Sequence, residues 1–482
     1  MNEQCKESGS PYIPSHVLQH VFRHFQGRET FLATHLVSKE WRDVCLHTSD
    51  WRSQYRSLWR TPTDGRIREA YESLQQEGSS VLLRSCADTD SLVWYHMWLS
   101  KYKEQQRLRN RPNRYTLYGH RSGVKMVQWI PGCNALLTGG IDRKAILWDA
   151  QYFAFRSVSK PFGGAVKCAT MDDSILAVGS SDHRIRVWLN QHDGEYDART
   201  RLVRDDWQHF LDVNDERHPD EQSYDMGDRI QYFREKSNWY AGQSVDRRFP
   251  FHLEGERMVL VDGHCGPVSS LATTQAALFS GSWDDSVRVW DKRTPENMEC
   301  VQVVRFDDWV LDMKRTKDCQ NLFVASGSQI HHFDMHGGAL REVGGIRHPD
   351  AERENCCTCL SHSEDGSLLL YASGGQVFPV DLRCRSGEQM EPLDCNRLTK
   401  SRGVAVMDMS FEYPWVASSM GNGKIALINI EEVARSKSRG DPGVVSQFLS
   451  AGKPMIAHCV DICEGKVAAG YEDGTVMGWN FL

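Results

Sequence analysis

The chain has 482 residues, of which 40% are hydrophobic and 25% charged, with a formal charge of -7. This balance suits a packed soluble core and argues against general nucleic-acid binding. The absence of an apolar run of about 18 residues excludes a membrane-spanning helix. Fifteen scattered cysteines, with no apolar signal-peptide core behind Met1-Asn2-Glu3-Gln4-Cys5-Lys6, point to reduced thiols in the cytosol or nucleus.

The first predicted helix follows Pro14, with Ser15 able to cap it. Val17, Leu18, Val21, Phe22 and Phe25 recur three and four apart and form one apolar stripe. A second short helix carries Phe31, Leu32 and Leu36; a third carries Trp41, Val44 and Cys45. Trp51, Tyr55, Leu58 and Trp59 continue at helical spacing. Such a small helical set cannot bury all its aromatics, which leaves apolar surface for a partner.

The order Ile13-Pro14, Val17-Leu18, Val21-Phe22, Val37-Ser38-Lys39-Glu40-Trp41 and Asp50-Trp51 resembles an F-box, with Ile for the usual Leu and Ser for the usual Cys. The domain is placed at residues 10–58. The resemblance implies that Pro14, Val17, Leu18, Val21, Phe22, Phe25 and Leu32 bind the Skp-type adaptor of a cullin-RING ubiquitin ligase. The competing readings are a plain three-helix cap on the repeats and a helix-turn-helix DNA reader. The second is disfavoured by the mixed charge of its would-be recognition helix.

Residues 59–112 read as a helical linker. Ile67, Ala70, Tyr71 and Leu74 share one face, and Leu92, Val93, Trp94, Met97, Trp98 and Leu99 precede a polar tail. Ordered helices there make a stiff stalk rather than a tether.

From Asn113 the period changes to short strands with turn signals. Gly119-His120 … Trp148-Asp149 and Gly263-His264 … Trp290-Asp291 are full units; Gly179-Ser180-Ser181-Asp182 … Trp188 lacks the His. These resemble WD repeats. Four less regular units follow, two with shortened turns, for seven in all. The expected fold is therefore an all-β seven-bladed WD-repeat β-propeller over residues 113–482, preceded by an α-helical F-box and a helical linker. A polar, aromatic-bearing insertion is placed at 190–258, either docked on the propeller side or acting as a partner-binding flap. The final strand leaves its blade one short, and Arg114 to Tyr118 can complete it.

His264, Ser280 and Asp284 are the residue types of a catalytic triad, as are His120, Thr138 and Asp142. Their recurrence in separate repeats points to structure instead. In the WD family such residues, with a tryptophan, form a buried hydrogen-bond set. His120, Asp142, Trp148, Asp182, Trp188, His264, Ser280, Asp284 and Trp290 are read in this way. Cys356-Cys357-Thr358-Cys359 with His362 lacks a second ligand pair, so buried strand cysteine is preferred to zinc.

In F-box proteins of this kind that read phosphorylated degrons, basic residues follow the Val of a blade's first strand. Val124-Lys125 and Val166-Lys167 match in adjacent units. With Arg143 and Trp283 they make the candidate substrate surface, set against the alternative of solvated lysines at the ring entrance. No ATP loop, thioester cysteine motif, metal set or cofactor motif appears. The expected role is a non-catalytic substrate-recognition subunit of an SCF-type ubiquitin ligase. Its partners would be the adaptor and an acidic or phosphorylated protein, with neither nucleic acid nor membrane. The rival is a scaffold without a ligase role.

Overall fold

The computed structural model describes residues 51–52, 93–95, 97–101, 108, 112–130, 135–149, 154–172, 174–189, 253, 258–316, 318–335, 339–348, 357–363, 367–383, 388–389, 392–395, 403–430, 446–450 and 455–481. The adaptor-binding expectation at Pro14, Val17, Leu18, Val21, Phe22, Phe25 and Leu32 lies outside them. So does the insertion from 190 to 257, Leu253 excepted.

The chain divides into two compact units, Met1–Gln106 and Arg107–Leu482. In the first, residues 51–52, 93–95 and 97–101 are helical. The buried Trp51 ring meets Tyr95 edge-on at 4.9 Å and Trp98 at 5.3 Å between centroids. Distant aromatics of the sequence thus make one core.

The second unit opens with β1 (Asn113–Tyr118) and then forms blades in chain order. Blade 1 is β2 (Val124–Ile130), β3 (Ala135–Gly140), β4 (Ala145–Asp149) and β5 (Ala154–Val158). Blade 2 is β6 (Val166–Met171), β7 (Ile175–Ser180), β8 (Ile185–Leu189) and β9 (Met258–Val261). Blade 3 is β10 (Val268–Thr273), β11 (Ala277–Ser282), β12 (Ser286–Asp291) and β13 (Cys300–Arg305). Blade 4 is β14 (Val310–Arg315), β15 (Asn321–Ser326), β16 (Gln329–Asp334) and β17 (Arg341–Arg347). Blade 5 is β18 (Cys357–His362), β19 (Leu368–Ser373) and β20 (Gln376–Asp381), edged by β21 (Glu388–Gln389) and β22 (Leu393–Asp394). Blade 6 is β23 (Val406–Glu412), β24 (Trp415–Met420), β25 (Lys424–Asn429) and β26 (Ser446–Ser450). Blade 7 is β27 (Ala457–Cys463), β28 (Lys466–Tyr471) and β29 (Thr475–Asn480), with β1 as its outer strand.

This is a seven-bladed β-propeller. Antiparallel pairing of β1 with β29, from Asn113↔Asn480 to Tyr118↔Thr475, joins the two ends of the propeller in one sheet. The inserted segment leaves blade 2 between its third and fourth strands.

Each neighbouring pair of blades shares an apolar cluster, from Leu136 with Cys459 between blades 1 and 7 to Cys359 with Phe411 between blades 5 and 6. The glycine of the second strand explains the close approach. A Cβ at Gly139 would lie 2.3 Å from Val166 Cγ1, at Gly281 2.5 Å from Val310 Cγ1, and at Gly470 2.5 Å from Val124 Cγ1. The repeated small residue therefore leaves room for the first valine of the next blade. Every residue of β3, β7, β11 and β24 is buried, as expected of strands covered on both faces.

Candidate functional site

The His–Asp–hydroxyl groups are where the chain most resembles an enzyme. In blade 1, His120 Nδ1 lies 2.9 Å from Asp142 Oδ1 and His120 Nε2 lies 2.9 Å from Thr138 Oγ1. Trp148 Nε1 donates to the same Thr138 oxygen at 2.9 Å. Blade 3 repeats the arrangement. His264 lies 2.8 Å from Asp284 and 2.7 Å from Ser280, and Trp290 Nε1 donates to Ser280 Oγ at 2.8 Å. Thr138 and Ser280 are fully buried and capped by an indole, so neither hydroxyl is open to a substrate. Burial pushes the His264 imidazole below its ordinary value despite the Asp284 hydrogen bond. Burial opposes ionisation of Asp284, but hydrogen bonds from Ser286, the Cys265 N–H and His264 outweigh it and hold the carboxyl low. A neutral imidazole can then donate to Asp284 and accept from Ser280, leaving the set fully partnered.

Blade 2 departs from this set. Phe162 stands at the His position and Val178 at the hydroxyl position. Trp188 packs edge-on against Phe162 at 6.3 Å and donates its indole N–H to the Leu253 carbonyl at 3.2 Å. Asp182 remains as a turn acceptor, taking the Gly163 and Arg184 N–H groups.

All inner strands carry a β-bulge at their second residue. That places Lys125, Lys167, Ser269, Leu311, Thr358, Met407 and His458 at equivalent stations around one end of the ring. The turn between second and third strands is tied to the same end. Ile141 N donates to Gly123 O at 2.8 Å, Trp283 N to Pro267 O at 3.0 Å, and Glu472 N to Ile456 O at 3.1 Å. Strand entries and turns together form one face of the propeller.

On that face Lys125 Nζ approaches His458 of blade 7 at 3.1 Å. Burial lowers the Lys125 pKa, opposed by nearby Cys459 and Glu472. Burial also lowers His458, with the Lys125 charge acting the same way, which favours a neutral ring whose nitrogen accepts a hydrogen bond from the lysine. Lys167 Nζ sits 3.3 Å from the Trp283 ring centroid. Burial pushes its ammonium down to about 8, and Lys125 adds to the effect. Trp283 stacks on Trp309 at 5.1 Å and an interplanar angle of 9°. Lys167, Trp283 and Trp309 thus link blade 2 to the entry of blade 4. Arg143 is exposed in its turn at a φ of 64°, and its carbonyl accepts the Phe162 N–H. Among the described residues no contact joins its side chain to Lys125, Lys167 or Trp283. Ser269 is occupied internally, donating to Val310 O at 2.5 Å. Met407 is exposed.

Sequence reasoning missed Trp309 and His458. Both carry a positional signal: Trp309 directly precedes the inner-strand Val310, and His458 holds the station of Lys125.

Deeper in the ring, carboxylates staple neighbouring blades. Asp312 accepts the Leu360 N–H at 2.8 Å, Asp408 the Val460 N–H at 3.1 Å, and Asp461 the Trp129 N–H at 2.7 Å. Burial pushes the Asp408 carboxyl up to about 7, against the pull of Lys314. Cys357 and Cys359 are buried in β18, and the ring nitrogens of His362 face the backbone carbonyl oxygens of Arg315 and Ser363, which only accept. Among the described residues no cluster of three metal-ligating side chains occurs.

The family described as "WD domain, G-beta repeat" matches residues 112–149 and 255–291, which hold blades 1 and 3 in large part. The chain is 25% identical over 401 residues to "F-box/WD-40 repeat-containing protein At5g21040" of Arabidopsis thaliana, covering 82% of this chain and 63% of that protein. The chain therefore spans less than two thirds of that relative's length. It is 31% identical over 135 residues to "Periodic tryptophan protein 2 homolog" of Schizosaccharomyces pombe, covering 24% of this chain and 16% of that protein. Among solved structures, the WD40 β-propeller domain of Doa1 superposes with a TM-score of 0.51 at 16% identity, covering 76% of this chain and 95% of that one. This last likeness speaks for the fold alone. Together these likenesses place WD-repeat sequence in blades 1 and 3 of a seven-bladed propeller.

Proposed function

We propose that this chain is a substrate-recognition subunit of an SCF-type, cullin-RING ubiquitin ligase, acting in the cytosol or nucleus. The reading is carried by the union of two parts in one chain. One is the Ile13-Pro14 to Trp51 pattern; the other is the propeller. The relative matching 82% of this chain bears both an F-box and WD-40 repeats in its name. On this reading Pro14, Val17, Leu18, Val21, Phe22, Phe25 and Leu32 hold the Skp-type adaptor. The propeller face holds the protein to be ubiquitylated, with Lys125 and Lys167 facing an acidic or phosphorylated side chain. Ligation chemistry then resides in the other subunits.

The test is adaptor capture. Leu18→Lys with Phe22→Lys would place charges in a desolvated contact at a cost of several kcal/mol. The expected outcome is loss of adaptor co-purification with an unchanged melting curve for the propeller. Adaptor capture at the parent level by the double variant defeats the proposal and leaves the assembly scaffold as the better reading.

A further inference from the structure

The face holds a pair of tryptophans that the fold does not require. Among the described residues, those directly before the inner strands are elsewhere Gly123, Ala165, Pro267, Ala405 and Ile456; before β14 the residue is Trp309. The first turn position holds Ile141, Ser181 and Glu472 in other blades, but Trp283 in blade 3. The two indoles stack, and Trp309 remains 51% exposed. An exposed large aromatic stacked on a second one is a recognition feature rather than a packing one.

We propose that this corner reads a cation: Trp309, stacked on Trp283 and preceded by Asp307 and Asp308, takes an arginine side chain of the partner protein. Asp307 and Asp308 are both exposed. Asp308 already accepts the Trp309 N–H at 2.7 Å, which fixes its carboxylate beside that residue. Asp307 has no hydrogen-bond or ion-pair partner among the described residues. The corner also seats a cation of its own, since the Lys167 ammonium lies over Trp283. A guanidinium suits the free indole better than an ammonium does. It stacks as a plane, keeps its charge at every relevant pH and forks toward a carboxylate. The partner segment is then one of mixed charge, with an acidic side chain at the lysines of blades 1 and 2 and an arginine at the entry of blade 4. This inference rests on reading the face as the partner-binding surface.

The test uses the full-length chain and pools of randomised decapeptides, each fixed at the centre as arginine, lysine, citrulline, glutamate or phosphoserine. Retention of the arginine pool should exceed that of the citrulline pool by on the order of tenfold. Trp309→Ala should bring arginine retention down to the citrulline level, and Trp309→Phe should keep part of it. Asp307→Asn with Asp308→Asn should lower it while stacking persists. All variants should melt with the parent, since the altered side chains are exposed. Equal retention of arginine and citrulline overturns the proposal, as does unchanged arginine retention in Trp309→Ala. Adaptor capture is read separately and should be unaffected by these changes. Failure of the arginine preference and failure of the ligase reading are therefore distinguishable.

Discussion

Blades 2 and 3 place the same tryptophan at the same point of their third strand and satisfy it in different ways. Trp290 of blade 3 donates to Ser280 within a polar set completed by His264 and Asp284. Trp188 of blade 2 packs on Phe162 and donates to a carbonyl from the far end of the inserted segment. What the two share is a filled space and a partnered indole N–H. A buried donor needs an acceptor, but the acceptor's identity is free. Blade 4 goes further in the apolar direction, with Phe306 edge-on to Phe333 at 6.0 Å. The polar set is therefore one solution to a packing problem, and blade shape is the constant.

If shape and ring continuity matter more than any single polar set, removing β1 must cost more than emptying blade 3. Deleting residues 113–118 strips blade 7 of its outer strand and exposes the edge of β29. The melting temperature should fall by on the order of 10 °C, with loss of soluble protein. An unchanged calorimetric trace would show that the pairing is dispensable.

Rewriting blade 3 as blade 2 separates the packing of the tryptophan from the partnering of its N–H. His264→Phe with Ser280→Val supplies the apolar fill but leaves the Trp290 N–H without its acceptor. Urea unfolding should show a loss of about 1–3 kcal/mol, the usual cost of an orphaned buried donor. Adding Trp290→Phe should recover most of it. His264→Ala, which creates both a cavity and unpaired groups, should cost more, roughly 2–4 kcal/mol. A double variant as stable as the parent would mean that the indole N–H needs no partner at all.

The smallest effects are expected with pH, and they have opposite signs in the blade and in the ring interior. His264 has a lowered folded pKa, so the unfolded chain binds more protons below its ordinary value of 6.5. Its contribution to stability is present above that value and is lost as pH falls below it. Asp408 is raised from 3.8 to about 7, so between those values the folded chain holds the proton. Its contribution declines as pH rises across that window. The two windows overlap below 6.5, so Asp408→Asn should remove a fall in melting temperature with rising pH between 3.8 and about 7, and His264→Phe should remove a rise with pH below 6.5. A profile left unaltered by Asp408→Asn would sink the assignment of that slope to the ring interior.

Blades 1 and 3 were legible because their polar sets are written locally, as Gly-His and Trp-Asp at fixed spacing. The remaining blades were legible through strand rhythm and turn residues, down to the two-residue turns at Gly327 and Gly374, both with positive φ. Lys125, Lys167 and Trp283 could be found by position on their own strands and turns. Their companions could not. Lys125 meets His458 and Trp283 meets Trp309 across blade boundaries, where ring closure rather than sequence spacing sets the neighbour. Arg143 shows the converse: a basic residue in a turn on the same face whose side chain, among the described residues, meets none of the cluster. The Leu253 contact with Trp188 was equally hidden, because nothing in a polar insertion marks the residue that returns to the core.

The pairing of β1 with β29 bears on how the protein is made. A chain emerging from the ribosome presents β1 before any other strand of the propeller, and its partner is the last strand to appear. Throughout that interval β1 is a bare strand with no mate, and blades 1 to 6 can collapse beside it without closing the circle. Unmated edges of this kind invite association with other nascent chains. Translation of the propeller should thus depend on holding factors until its closing residues are free, and premature truncation near β29 should produce aggregating rather than merely shortened protein.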